Sequence, residues 1–136
     1  MTGLRVIAAA VLRNRGLLLV SKHAAPTVHY LPGGKPELGE APLECLAREV
    51  WEELGCRVVE PRLFAQVRAR AALEGAEMHM TVYVAGLDGA PTAAAEIASF
   101  VWWPTTQVAL APAVRLHVIP KLQRHGLLDN RTLAEA

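Results

Sequence analysis

Three glutamates close together, Glu49, Glu52 and Glu53, are the strongest chemical statement in this chain. They stand in residues 42–54, where Leu43, Leu46, Ala47, Val50 and Leu54 recur at helical spacing and predict a buried stripe. On a helix advancing ~100° per residue, the three acids share a sector about 100° wide, beside that stripe and not opposite it. Like-charged pairs at such spacing cost about 0.2–0.5 kcal/mol each. Arg48 borders the sector and can pair with Glu52 one turn on, but residues 42–54 hold no lysine to relieve the rest. A hard divalent cation with oxygen ligands would make the arrangement tolerable. A solvated acidic face is the alternative, and the closeness of the acids to the apolar stripe weighs against it.

Gly33 and Gly34 stand shortly before this helix. Without side chains, they let backbone carbonyls and amides approach a metal or a phosphate. A glycine pair alone is a weak signal, and its value comes from its place just ahead of the acids. Lys35 follows, and reads equally as a phosphate contact or a solvated turn lysine.

The elements that must position these groups are legible in outline. Residues 4–12 and 16–22 read as strands joined by a turn at Arg13-Asn14-Arg15, and their near-continuous apolarity predicts cover on both faces. Residues 23–28 are expected to loop around Pro26, and 28–31 to form a short strand into the glycine turn. Pro42 suits the first helical position, Glu44 favours the positive end of the helix dipole, and Gly55 is a natural stop. Ala41 makes a poor N-cap. Residues 57–60, 63–70, 77–87 and 100–103 are expected to be strands, with a turn at Asp88-Gly89 and a small-residue loop over 90–95. A second helix is predicted over 113–125, kinked or broken by Pro120, and the chain after Asn130 is expected to fray. Periodicity alone gives α and β elements in one domain.

With 136 residues, 52% of them hydrophobic and 20% charged, a single core is affordable and global disorder is excluded. A formal net charge of +1, with no run of Lys or Arg, argues against nucleic acid or an anionic membrane as partner. Cys45 and Cys56 sit at opposite ends of the predicted helix, roughly 16 Å apart at its rise per residue. A disulfide requires about 7 Å or less, so free thiols and a cytoplasmic location are expected. The first apolar run ends at Arg13, far short of a membrane span, and reads as a strand and not a signal peptide.

The spacing of the polar residues resembles a named family. The Nudix motif runs G-x5-E-x7-R-E-U-x-E-E-x-G-U, where U is bulky and apolar. Gly34, Glu40, Arg48, Glu49, Glu52, Glu53 and Gly55 match its seven fixed positions, and Val50 its first U. Cys56, smaller than usual, stands at the last U. Seven such positions coincide by chance at roughly 10⁻⁸ per starting point.

The resemblance implies an α/β/α sandwich with a mixed, curved sheet between helices. It also implies hydrolysis of a nucleoside diphosphate linked to another moiety, by water, with Mg²⁺ (or Mn²⁺) as cofactor. Carried over by position, Glu52 and Glu53 become the principal metal ligands, and Glu49 a further ligand or the general base. Arg48 holds a carboxylate, Glu40 ligates or braces Arg48, and the carbonyl of Gly33 is an additional ligand. Glu96, a loop acid ahead of Trp102-Trp103, is a further candidate ligand, with a plain loop acid as the alternative.

Gly34, Lys35, Arg68 and Trp103 are the candidate substrate contacts. Arg70 shares the polar face of Arg68, and of the two tryptophans one is expected to face the core and the other a cleft. Tyr30, Phe64, Met78, Met80 and Tyr83 read mainly as core, with the substrate pocket as their alternative. The five histidines show no ligand spacing. Marks of the ADP-ribose and dinucleoside polyphosphate hydrolases are missing from Ala71-Ala72 and from 73–75, which favours a MutT-like hydrolase of a nucleoside triphosphate or modified nucleotide. Hydrolysis of ADP-ribose or nucleotide sugars, and a non-catalytic nucleotide-binding module, are the alternatives. Either a monomer or a homodimer fits the sequence.

Overall fold

The computed structural model describes residues 3–70 and 76–129. The positions read for substrate subfamily at 71–75, and the tail expected to fray, lie outside them.

β1 (Leu4–Arg13) and β2 (Gly16–Lys22) form the expected hairpin, with Arg13 opposite Gly16. Its two turn residues, Asn14 and Arg15, both take positive φ, 53° and 62°, the conformation that matches strand twist in two-residue hairpins. β3 (Ala25–Tyr30), β4 (Gly33–Gly34) and α1 (Pro42–Leu54) follow. Then come β5 (Val58–Arg70), β6 (Glu77–Leu87), β7 (Ile97–Trp103) and β8 (Ala109–Leu110). The main path of the sheet runs β5-β6-β1-β2-β3-β8, with β4 on β1 and β7 on β2. β1–β6 and β3–β8 are parallel and the remaining pairs antiparallel, so the sheet is mixed.

The continuous apolarity of β1 and β2 has its cause in two separate cores. Ile7, Ala9, Val11, Leu18 and Val20 pack with Cys45, Leu46, Val50 and Leu54 of α1. Their neighbours Ala8, Ala10, Leu17 and Leu19 face the opposite side, against Val114, Val118, Ile119 and Leu122. Alternating residues of one strand therefore serve two helical layers, which is the expected α/β/α sandwich. Both cysteines are free and buried, and burial pushes the Cys45 thiol up to about 11.

Several local expectations change. The two strands predicted on either side of Pro61 are one strand, β5, with register shifts between Val59 and Arg62 and between Leu63 and Ala65. Pro61 falls inside the first shift, where no ladder N–H is needed, and β5 is an edge strand. Pro26 likewise lies in β3, in the irregular stretch between the Lys22↔Ala25 and Val20↔Tyr30 pairs. β7 starts at Ile97, earlier than expected.

The second helix divides at its proline as predicted. A wide turn over Val114–Val118, closed by the Ile119 N–H on the Val114 carbonyl, leads into α2 (Ile119–Arg124).

α1 begins without a side-chain cap at Ala41. Instead the Glu44 carboxylate accepts the Ala41 N–H at 2.9 Å. It ends at Gly55, in the left-handed conformation (φ 67°), whose N–H returns to the Trp51 carbonyl. The buried face keeps Leu46, Val50 and Leu54 of the predicted stripe but not its other two residues. Leu43 is 48% exposed and Ala47 is exposed, whereas Cys45, Glu49 and Glu53 are buried beside Leu46, Val50 and Leu54.

Candidate active site

The site forms where β1 changes partner. Near the hairpin β1 pairs with β2, but further back Ala8 and Ile7 face Gly33 and Gly34 of β4, and the Ala9 N–H reaches the Pro32 carbonyl. The backbone itself requires glycine at position 33, and at position 34 a side chain would displace a carboxylate. Gly33 has φ 148°, and a Cβ there would be driven into the Ile7 carbonyl oxygen and to 2.7 Å from Ala8 Cα. At Gly34 the Cβ position is taken by the carboxylate of Glu49. The pair is thus the seat on which the acidic helix rests, and more than a turn.

Glu53 is 1% exposed. Its Oε1 accepts the Gly33 N–H at 3.1 Å, while its buried Oε2 has no hydrogen-bond partner among the described residues. Burial raises the Glu53 carboxyl to about 8, helped by Glu49 and Glu96 and opposed by the Gly33 N–H. Glu49, 8% exposed, is also raised by burial, against the pull of Arg48.

Glu96 reaches them from the loop before β7, which is fastened to the end of α1. The Ala94 and Thr92 N–H groups donate to the Glu53 and Leu54 carbonyls, which the helix cannot satisfy itself, and the Glu96 carbonyl accepts the His23 N–H. One oxygen from each of Glu49, Glu53 and Glu96 lies within 4.8 Å of the others.

Oxygens bound to one divalent ion at ~2.1–2.5 Å stand at most about 4–5 Å apart, so these three are within bridging range. An all-oxygen donor set around a buried, unpartnered carboxylate atom fits a hard cation. Without one, an ionised Glu53 would be costly to bury.

Arg48 braces the arrangement. Its Nε and Nη2 donate to the two oxygens of Glu40 at 2.7 and 2.9 Å, and Nη1 donates to Glu49 at 3.0 Å and to Glu52 at 3.3 Å. Nη2 also reaches the Lys35 carbonyl at 3.2 Å. These pairs hold the Glu40 carboxyl down at about 2 and push the guanidinium further up. Arg48 thereby ties the loop after the glycines to the helix and fixes the direction of Glu49.

A cleft of 410 Å³ opens beside the acids. One end holds Glu49, Glu53, Glu96 and the glycines, with Lys22 and Lys35 nearby. The other is walled by Leu4, Val6, Met78 and Met80, and by the segment from Pro112 to Val114. Such a volume suits a small organic ligand with a charged end and an apolar one.

Comparison with known proteins decides the family. The model of the NUDIX domain matches residues 2–122. This chain belongs to the Nudix family. A MutT-like protein of Streptomyces ambofaciens is 48% identical over 52 residues, which span 38% of this chain and only 34% of that protein. The MutT protein structure from Bacillus halodurans is 26% identical, with 97% of this chain and 86% of that chain covered and a TM-score of 0.68. A UDP-X diphosphatase structure is 28% identical, covering 93% and 62%, with a TM-score of 0.71.

Within this Nudix chain the predicted site residues separate into two groups. Gly33, Gly34, Lys35, Arg48, Glu49, Glu53 and Glu96 all line the cleft. Glu52 stands outside the three-acid group, half exposed and turned to Arg48. Trp103, expected at the substrate, is 1% exposed in the core on the α2 side, because β7 turns it inward. Trp102 packs against the other core, with the Arg13 guanidinium 5.3 Å from its ring centroid. Arg68 is exposed and does not line the cleft, whereas Arg70 does.

Tyr30, Met78 and Met80 prove to be cleft walls, and Phe64 and Tyr83 do not line it. Lys22 was missed by sequence reasoning. Its signal was a lysine closing an otherwise buried strand, and its Nζ sits 5.5 Å from the Tyr30 ring centroid.

Proposed function

We propose that this chain is a Mg²⁺-dependent pyrophosphohydrolase acting on a nucleoside triphosphate or a modified nucleotide. The observation that carries the reading is the buried, unpartnered Oε2 of Glu53, set among three carboxylates at the mouth of a half-apolar cleft. Bound there, Mg²⁺ would screen phosphate charge and lower the pKa of a coordinated water.

Glu53, Glu49 and Glu96 would hold the ion, and the position of Gly33 on the cleft wall beside Glu53 supports its carbonyl as a further oxygen ligand. Glu49 either ligates or takes the proton of the attacking water, and Arg48 fixes its direction in both cases. Glu52 supports this indirectly, by holding Arg48 from the exposed side. Lys22 and Lys35 would meet phosphate oxygens, and the apolar walls formed by Leu4, Val6, Met78 and Met80 would take the base; their shared place on the cleft supports this.

A second reading has one specific support, the likeness to a UDP-X diphosphatase, and would make the substrate a nucleoside diphosphate carrying another moiety. Phosphate or pyrophosphate release from dNTPs, 8-oxo-dGTP, nucleotide sugars, ADP-ribose and dinucleoside polyphosphates tests both. It is run with Mg²⁺, with EDTA, and with Glu53→Gln. Turnover of triphosphates that needs both the metal and Glu53 is expected. Turnover confined to sugar nucleotides or ADP-ribose would replace the first reading by the second. Silence across the panel, with Mn²⁺ bound to folded protein, would make the chain a binding module.

A further inference from the structure

The helix that carries the acids has a second apolar flank, left open to water. Leu43, Ala47 and Trp51 are exposed and stand four residues apart on α1. Four residues advance a helix by ~6 Å and step round it by about 40°, so the three form one shallow stripe with Ala47 at its centre. A largely apolar groove of 470 Å³ runs beside them, lined by Ala47, Arg48, Trp51, Arg57 and Val58. It shares Arg48 alone with the cleft of the acids. Tryptophan and arginine on an exposed apolar patch are the composition of an interface centre.

The stripe reads the same in both directions. One turn to either side of the small Ala47 lies a large apolar side chain, Leu43 toward the N-terminus and Trp51 toward the C-terminus. Charge follows a matching order. Glu44 is exposed at the N-terminal end, Arg57 is exposed and lines the groove with Trp51, and Glu52 is turned to Arg48. Glu44 gives one oxygen, Oε1, to the Ala41 N–H, and a carboxylate has a second for a cation. Turn a second copy end for end about an axis through Ala47. Leu43 then meets the second copy's Trp51, Glu44 approaches its Arg57, and the paired alanines let the helix axes close to ~8–10 Å. A parallel pair would instead set Glu44 against Glu44, which charge opposes.

We propose that this flank is the two-fold interface of a homodimer, with α1 of one copy antiparallel on α1 of the other and Ala47 at the crossing. Sedimentation velocity over about 1–100 µM protein tests it. Wild type should sediment as a dimer at the upper end, and acrylamide quenching of the exposed Trp51 should fall as the dimer forms. Trp51→Glu and Ala47→Glu should each weaken association about thirtyfold or more, the scale of losing an interface hot spot. Both side chains are exposed in the single chain, so circular dichroism should stay that of wild type. Leu43 adds little to the monomer's own fold, and Leu43→Gln should weaken the dimer without unfolding the chain.

A charge exchange fixes the direction of the pairing. Arg57→Glu sets acid against acid, and Glu44→Lys sets base against base, so each variant alone should associate less than wild type. Mixed in equal amounts they should form a heterodimer, because both cross pairs then unite opposite charges. Failure of the mixture to associate, with both variants folded, would overturn the antiparallel interface. So would a wild-type monomer at every concentration, or a dimer indifferent to Trp51→Glu and Ala47→Glu. A chain that stays monomeric and buries Trp51 only against a different protein would likewise give the groove to another partner and sink the homodimer.

Discussion

The two helical layers cover the same sheet in opposite ways. On the α2 side the contact is uniformly apolar, with Val114, Val118, Ile119 and Leu122 filling the space above Ala8, Ala10, Leu17 and Leu19. On the α1 side Leu46, Val50 and Leu54 do the same work, but Glu49 and Glu53 are buried at the edge while Leu43 and Trp51, the latter 57% exposed, face outward. A helix selected for stability alone would be rotated the other way. The difference teaches where this chain departs from the folding pattern, and the departure coincides with the acids.

The comparison can be broken most forcefully at Glu53. Glu53→Gln should lower kcat by more than about tenfold, the scale of losing a metal-site group, while raising the Tm of the metal-free protein by removing a buried carboxylate. A variant that keeps more than a tenth of wild-type kcat would take Glu53 out of the metal site.

On the opposite layer, Leu122→Ala should cost about 2–5 kcal/mol of stability by denaturant titration. Its Mn²⁺ affinity, measured by calorimetry on the folded variant, should stay near wild type. A large loss of affinity there would mean that the two layers are not separable.

The pH dependence sharpens the contrast further. Because burial holds the Glu53 carboxyl at about 8 against an ordinary 4.5, the folded state binds its proton more tightly than the unfolded chain does. That contribution to stability is fully present below about 4.5 and is lost as pH rises through about 8. Metal-free protein should therefore lose Tm between pH 5 and 8.5, a loss that Glu53→Gln removes and saturating Mg²⁺ offsets. A flat metal-free profile would contradict the burial of an unpaired carboxyl.

The smallest effect is expected on the outer face of α1. Leu43→Gln should change stability by no more than about 0.5 kcal/mol, since the side chain is half in water already.

What could be read from the residues follows the same division. The motif residues and the hairpin depend on local spacing, and Gly33, Gly34, Arg48, Glu49 and Glu53 stand together as that spacing implied. Leu46, Val50 and Leu54 are buried as expected, whereas Leu43 and Ala47 were misread because periodicity assigns burial by hydrophobicity, and here two acids occupy inward positions. Glu96, and not Glu52, stands with Glu49 and Glu53 in the three-acid group for a non-local reason. The loop carrying Glu96 is positioned by carbonyls at the end of α1, bonds that no spacing rule foresees. Trp103 was assigned to the substrate because alternation says only that adjacent strand residues face opposite sides, and not that both sides of β7 are core. Lys22 and Arg70 could be seen as charges at strand ends, but only the sheet topology shows that both ends open on one cleft.

Glu53 is a junction as well as an acid. Its side chain holds the Gly33 N–H and its own carbonyl holds the Ala94 N–H, so the glycine strand, the helix and the loop before β7 meet on one residue. A peptide of residues 34–56 would contain the whole motif and still lack both Gly33 and Glu96. The three-acid group is therefore incomplete in every local fragment and is assembled only when distant parts of the chain have closed on each other. In a cell, the ion would act as an inspector of finished molecules: it would retain complete folds and pass over partial ones.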